Sequence, residues 1–167
     1  MPDPFCCRAL VIAGAAMLLG LAGCDDGDED SSATFPGTFQ AESATVKTAG
    51  RSISRSNAEG AAVWHLDTGG EVSYTFSDIP QGTYSVAVRY SNDDTGSGDT
   101  IAVFVDGEQA EKFKTSDTGS GGSGWNVFVY SAGIALGTLS GTQTIAFRLL
   151  SSDGYGVDLD SFTFSLQ

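Results

Sequence analysis

This sequence predicts an all-β fold, a sandwich or a barrel, and three observations predict it. Apolar residues alternate with polar ones at a period of two. Turn-forming pairs punctuate these runs at short intervals. No apolar stripe of helical period reaches a useful length. The 167 residues include 22 Gly, and only 17 % are charged. That excludes a coiled coil or a charge-rich long helix.

The first residues read as a leader rather than as part of the fold. Arg8 precedes an apolar run from Ala9 to Leu21. A bilayer core takes roughly 20 apolar residues, so this run has the length of a signal-peptide core. It ends Leu21-Ala22-Gly23-Cys24, which resembles the lipobox of bacterial lipoproteins. The resemblance implies that residues 1–23 are a lipoprotein signal peptide and that Cys24 carries lipid. The expected location is the cell envelope, facing away from the cytoplasm, with the anchor as the only membrane contact. Cys6 and Cys7 would leave with the leader, so the mature chain would hold no disulfide. Residues 24–34 then form the lipidated cysteine and an acidic tether, solvated and self-repelling.

Residues 35–167 are expected to form one domain. Val72, Tyr74 and Phe76 alternate with Ser73 and Thr75. Tyr84, Val86, Val88 and Tyr90 keep the same period, as do Ile101, Val103 and Val105, and later Ile145, Phe147 and Leu149. Each set sends one apolar row inward and one polar row to water. Gly69-Gly70, Pro80-Gln81-Gly82 and Ser140-Gly141 are expected to separate the runs, and Asp106-Gly107 is a strong hairpin signal. Near the end, Val157 and Leu159 are in phase, while Phe162, Phe164 and Leu166 have the opposite phase. A bulge between them would bring both sets inward.

Composition narrows the chemistry. The formal net charge is −13, which argues against nucleic acid as a partner, since that needs a basic face. One His and three Cys leave too little material for a His/Cys zinc site or a His-based relay. No Gly-x-Ser-x-Gly nucleophile motif occurs. The single His65 reads as a neighbour of Trp64.

Two sets of residues stand out. Trp64 and Trp125 offer aromatic surface, of the kind that stacks on the C–H faces of sugar rings or packs a core. Val63 and Leu66 have opposite parity, so the period leaves open which way Trp64 faces. Trp125 follows the Gly-rich stretch TGSGGSG. Gln40-Ala41-Glu42 opens the domain and Asp158-Leu159-Asp160 closes it. If the first and last strands pair, oxygens from both ends meet, which suits Ca²⁺ as well as it suits solvated edge charge.

Taken in order, FQAESATV, GAAVWHLDTGGEVSYTF, GTYSVAVRY, IAVFVDGE, GWNVFVYSAGIAL, TQTIAFRLL and GVDLDSFTF resemble carbohydrate-binding modules of the family 6 and family 35 type, over about residues 38–167. The resemblance implies a β-sandwich jelly roll that binds glycans, carries a structural calcium and has no catalysis of its own. It implies Gln40, Glu42 and Asp160 as metal ligands, with carbonyls near Ala58 to Gly60 completing the shell. It implies Trp64 and Trp125 as the two sides of a sugar clamp, with Asp158 accepting from a hydroxyl and Asn126 and Tyr155 at the rim. Gln40 departs from the family's acid at that position, and Asp158 from its usual Asn. The added charge of Asp158 points to a neutral glycan as partner. A monomer is expected, and an adhesive lipoprotein binding a protein partner is the alternative; a small glycan-active hydrolase or lyase ranks below both.

Overall fold

The alternating runs form strands in the computed structural model, which describes residues 34–93, 98–119 and 121–167. The leader, Cys24 and the tether up to residue 33 fall outside those residues, so cleavage and lipidation stand as expectations. The strands are β1 (Thr38–Gln40), β2 (Val46–Ser54), β3 (Ala62–Ser91), β4 (Thr100–Val105), β5 (Glu108–Lys114), β6 (Val129–Tyr130), β7 (Ile134–Ser151) and β8 (Val157–Leu166). All pairs are antiparallel, in the order β1-β8-β3-β7-β4-β5, with β2 and β6 also paired to β3.

The 30 residues of β3 would span about 100 Å if straight, at about 3.3 Å per residue. The strand bends instead. Its Glu71–Phe76 arm pairs with Gln143–Arg148 of β7, and its Gly82–Val86 arm pairs with Ile134–Leu139 of the same strand. Trp64–Leu66 and Tyr84–Ser91 of β3 both pair with β8. The ladder therefore folds over on itself and encloses a core, a β-sandwich jelly roll. Pro80-Gln81-Gly82 and Ser140-Gly141 do not separate strands. They lie within β3 and β7 at register shifts, because a bulge turns a strand without ending its pairing. Gly69-Gly70 likewise stays inside β3.

The inward rows are the expected ones except at strand ends, where Val105 is only partly buried and Leu166, expected inward, is 60 % exposed beyond the reach of the core. Val72, Val86, Val88, Ile101, Val103, Ile145, Phe147, Leu149, Val157, Leu159 and Phe162 are fully buried. Each such side chain contributes about 1.5–3 kcal/mol relative to exposure. Phe147 and Phe162 meet across the layers with centroids 4.1 Å apart. Phe35 closes one end of the core against Phe76, Tyr84 and Phe164. Asp106 and Gly107 have φ of 48° and 85°, the left-handed pair of a type I′ turn, and they join β4 to β5.

The phase change in β8 is a bulge, as its alternation predicts. Tyr90 pairs with Leu159 and Arg89 with Ser161, which leaves Asp160 as the extra residue. Leu159 and Phe162 both reach full burial on the core side as a result.

Candidate functional site

One end of the sandwich carries a cavity of about 280 Å³ lined by Asp93, Gly121, Gly122, Trp125 and Tyr155. Trp125 sits in a short 3-10 turn, Gly124–Asn126, held from several sides. Ser91 Oγ donates to its carbonyl at 3.2 Å. Ser56 N donates to Asn126 Oδ1 at 3.1 Å, and Asn57 Nδ2 to Asn126 O at 2.8 Å. Gly124 lies so close to the neighbouring chain that a Cβ there would sit 2.9 Å from Gly119 N and 3.1 Å from Asp93 Cβ. A side chain at that position would push the turn away from Asp93.

The indole itself is braced. The Arg55 guanidinium carbon lies 5.3 Å from its ring centroid, within cation–π range. The His65 ring meets it edge-on at 5.6 Å. Behind these two lies Asp158, which is fully buried. His65 and Asp158 are register partners across β3 and β8. Asp158 Oδ1 lies 2.7 Å from His65 Nδ1, and Arg55 Nε donates to Oδ2 at 2.7 Å. The carboxylate thus holds both groups that support Trp125.

This geometry corrects the expected clamp. Trp64 does not line the cavity. Alternation in β3 sends it to the face opposite His65, where it packs against the hydrophobic core. Lys47 Nζ stands 5.5 Å from its ring centroid. The ring that meets Trp125 is His65, and the second aromatic wall of the cavity is Tyr155, which is 61 % exposed. Asp158 is not at the cavity mouth either, because both its oxygens are engaged and no surface is left for a hydroxyl. Asn126 uses its side-chain oxygen to pin the turn. Trp125 and Tyr155 line one cavity. Arg55, His65 and Asp93 were missed as site residues. The one available signal was the parity of Asp158, which lies between Val157 and Leu159 of an inward row and so faces away from it.

A second cluster gathers around the turn Glu59–Ala61. Gly60 has φ of 72°, and a Cβ there would fall 2.9 Å from Glu42 Oε1 and 3.7 Å from Gln40 Oε1. Asp160, fully buried, accepts from Glu59 N at 3.3 Å through Oδ2, and Arg89 Nη1 also donates to that oxygen. Gln40, Glu42 and Asp160 therefore converge on one turn. Gln40 Oε1, Glu42 Oε2 and Asp160 Oδ1 are buried with no hydrogen-bond partner among the described residues. Three orphaned oxygens at one place are costly, at about 1–3 kcal/mol each, and they form the donor set of a hard cation. Among the described residues no three His, Cys, Asp or Glu side chains cluster as a metal site; here the third donor is an amide. Burial pushes the Glu42 carboxyl up from its ordinary 4.5, partly offset by its backbone hydrogen bond and by Lys47. Tyr74, whose hydroxyl donates to Gln40 O at 2.6 Å, is pushed up by burial and by the Glu42 charge. The residues fit a calcium ion.

The geometry has counterparts among known proteins. The fold matches a family 35 carbohydrate-binding module from Clostridium thermocellum, with a TM-score of 0.65 at 20 % identity over 78 % of this chain and 97 % of that one. It matches a family 6 module from Clostridium cellulolyticum solved in complex with xylose, with a TM-score of 0.63 at 20 % identity over 77 % of this chain and 95 % of that one. An exo-β-1,3-galactanase from Phanerochaete chrysosporium, solved with galactose, matches with a TM-score of 0.63 at 22 % identity, over 77 % of this chain and only 29 % of the enzyme. At such identities these likenesses show the fold. No curated protein matches the sequence. The sequence profile of the family described as carbohydrate binding module (family 6) spans residues 40–166, from the first orphaned oxygen to the end of β8, and the chain belongs to that family.

Proposed function

We propose that this chain is a non-catalytic glycan-binding module whose sugar site is the Trp125–Tyr155 cavity. The observation that carries this reading is Trp125, an indole that is pinned through its backbone and braced by Arg55 and His65, yet still lines an open cavity. An indole face accepts the C–H face of a pyranose at little desolvation cost, and aromatic contacts add about 0.5–1.5 kcal/mol beyond area burial. Because the turn is already held, stacking orders little further chain, which favours binding. With one principal platform and few polar groups, affinity is expected in the micromolar to millimolar range, about −8 to −4 kcal/mol.

Gln40, Glu42 and Asp160 would hold a calcium ion, with Gln40 contributing an oxygen without charge. The ion supplies positive charge to three buried oxygens and ties β1 to the bulge of β8. Arg89 shares the Asp160 carboxylate and neutralises part of it. The module would be carried at the cell envelope by lipid on Cys24, with residues 25–34 as the spacer.

A glycan array probed with the soluble domain, with and without a chelator, tests the reading. Wild type is expected to bind at least one glycan, and Trp125→Ala to lose it. If Trp125→Ala binds that glycan as wild type does, the site lies elsewhere. If no glycan binds at all, the adhesive reading replaces this one.

A further inference from the structure

We propose that the Asp93 carboxylate reads the hydroxyls of a neutral sugar stacked on Trp125, and that its charge turns acidic sugars away. The inference rests on the glycan site proposed above and assigns its substrate class.

Four observations lead there. Asp93 lines the same cavity as Trp125 and Tyr155. It is only 6 % exposed, so its carboxylate is largely withdrawn from water. Its one hydrogen bond among the described residues comes from Gly124 N to Oδ2 at 3.2 Å, and it makes no ion pair among them. A carboxylate has about four acceptor positions, so the described residues leave most of its capacity available in the cavity that Asp93 lines. Two adjacent sugar hydroxyls are donors of the right kind and spacing for such a group.

The charges nearby sharpen the case. The Arg55 cation is held by Asp158, and Asp158 also holds His65. Those charges largely cancel, and among the described lining residues the acid is Asp93. A uronate would bring its carboxylate into a half-dry site of the same sign, where repulsion is weakly screened. The neutral preference expected of Asp158 therefore belongs to Asp93. Asp93 is also rigidly placed, because Asn92 before it is fully buried and tied to Thr118 and Thr115 by bonds of 2.7 to 3.0 Å.

The test compares glucose, galactose and xylose with glucuronate and galacturonate, by calorimetric titration of wild type, Asp93→Asn and Trp125→Ala. Wild type is expected to bind a neutral sugar at least tenfold more tightly than either uronate, with the gap narrowing at high salt. Asp93→Asn keeps an oxygen for Gly124 N but removes the charge. Neutral affinity is expected to fall about fivefold and the neutral-to-acidic ratio to approach one, at an unchanged melting temperature. If Asp93→Asn proves unstable, the salt dependence of the ratio in wild type decides alone. An unchanged ratio in Asp93→Asn, while Trp125→Ala abolishes binding, overturns the role of Asp93 and leaves the glycan site standing. Uronate binding that needs calcium and is lost in Asp93→Asn also overturns it, since Asp93 would then ligate metal. If Trp125→Ala binds normally, the glycan site and this inference fall together.

Discussion

Chelation is the perturbation that most directly tests the proposed calcium site. Gln40 Oε1, Glu42 Oε2 and Asp160 Oδ1 are buried without hydrogen-bond partners among the described residues. Each such atom costs about 1–3 kcal/mol if left unsatisfied, so the three together set a demand of several kcal/mol that a cation would meet. A ligand that binds only the folded state stabilises it by RT ln(1 + [L]/Kd), about 2.7 kcal/mol at a hundredfold excess over Kd. For a domain of this size about 4 °C corresponds to each kcal/mol. Excess EDTA should therefore lower the Tm by about 10 °C relative to saturating calcium, measured by calorimetry at neutral pH. Glu42→Gln should remove most of that difference, and Gln40→Glu should increase it by restoring a charge. A melt that is the same in EDTA and in calcium, with no calcium bound by elemental analysis, would refute the reasoning. The orphaned oxygens would then be a strained feature of the fold.

Other outcomes follow from the same contacts. Burial holds the Glu42 pKa above 4.5, so the metal-free folded chain binds more protons there than the unfolded chain does. This group's contribution to stability then falls as pH rises through the window above 4.5. Calcium needs the carboxylate, so the calcium-dependent rise in Tm should grow through that same window, as melts at stepped pH would show. Trp125→Ala should abolish glycan binding with a small change in Tm, because the ring lies over a cavity. Trp64→Ala should leave binding near wild type and cost about 2–4 kcal/mol in urea melts, since its ring packs on the core. Asp158→Ala should cost about 3–5 kcal/mol, by leaving Arg55 and His65 around a removed buried partner. It should also weaken binding through loss of the brace on Trp125.

Much of this fold was legible because alternation carries its own meaning. Val72-Tyr74-Phe76 and Ile145-Phe147-Leu149 could point only one way, and they fill the core. Asp106-Gly107 announced its turn type, since both residues tolerate positive φ. The corners of β3 were not legible. Pro80 and Gly82 signal an interruption, but not whether pairing resumes beyond it. Gln40, Glu42 and Asp160 were singled out through a family resemblance, and their approach to one turn at Gly60 could not be read from spacing. Trp64 and Trp125 do not face each other across one cavity. Trp64 is the larger aromatic and draws attention, yet the ring that meets Trp125 is that of His65 beside it. Period could not choose between them, because Val63 and Leu66 flank the pair with opposite parity and both are fully buried.

The bulge at Asp160 explains how one short segment serves both ends of this chemistry. In a regular strand, residues i and i+2 share a face, so Asp158 and Asp160 would point together. Asp160 is instead the extra residue opposite Arg89 and Tyr90. Asp158 keeps the regular register, lies across from His65, and holds the two groups that brace Trp125. Asp160 is re-aimed toward Glu59 N and Arg89, beside the turn that abuts Gln40 and Glu42. The same inserted residue shifts the phase so that Phe162 and Phe164 join Leu159 in the core. Deleting Asp160 would therefore do three things at once. It would remove a ligand of the proposed calcium site, turn Phe162 and Phe164 outward, and break the β1 pairing of Phe39 with Phe162. That deletion should unfold the domain outright in both EDTA and calcium, whereas Asp160→Asn should leave a folded protein that no longer responds to calcium. If the deletion variant instead folds with a normal melt, the bulge is not what sets the phase of β8, and the division of labour between the two aspartates would need another cause.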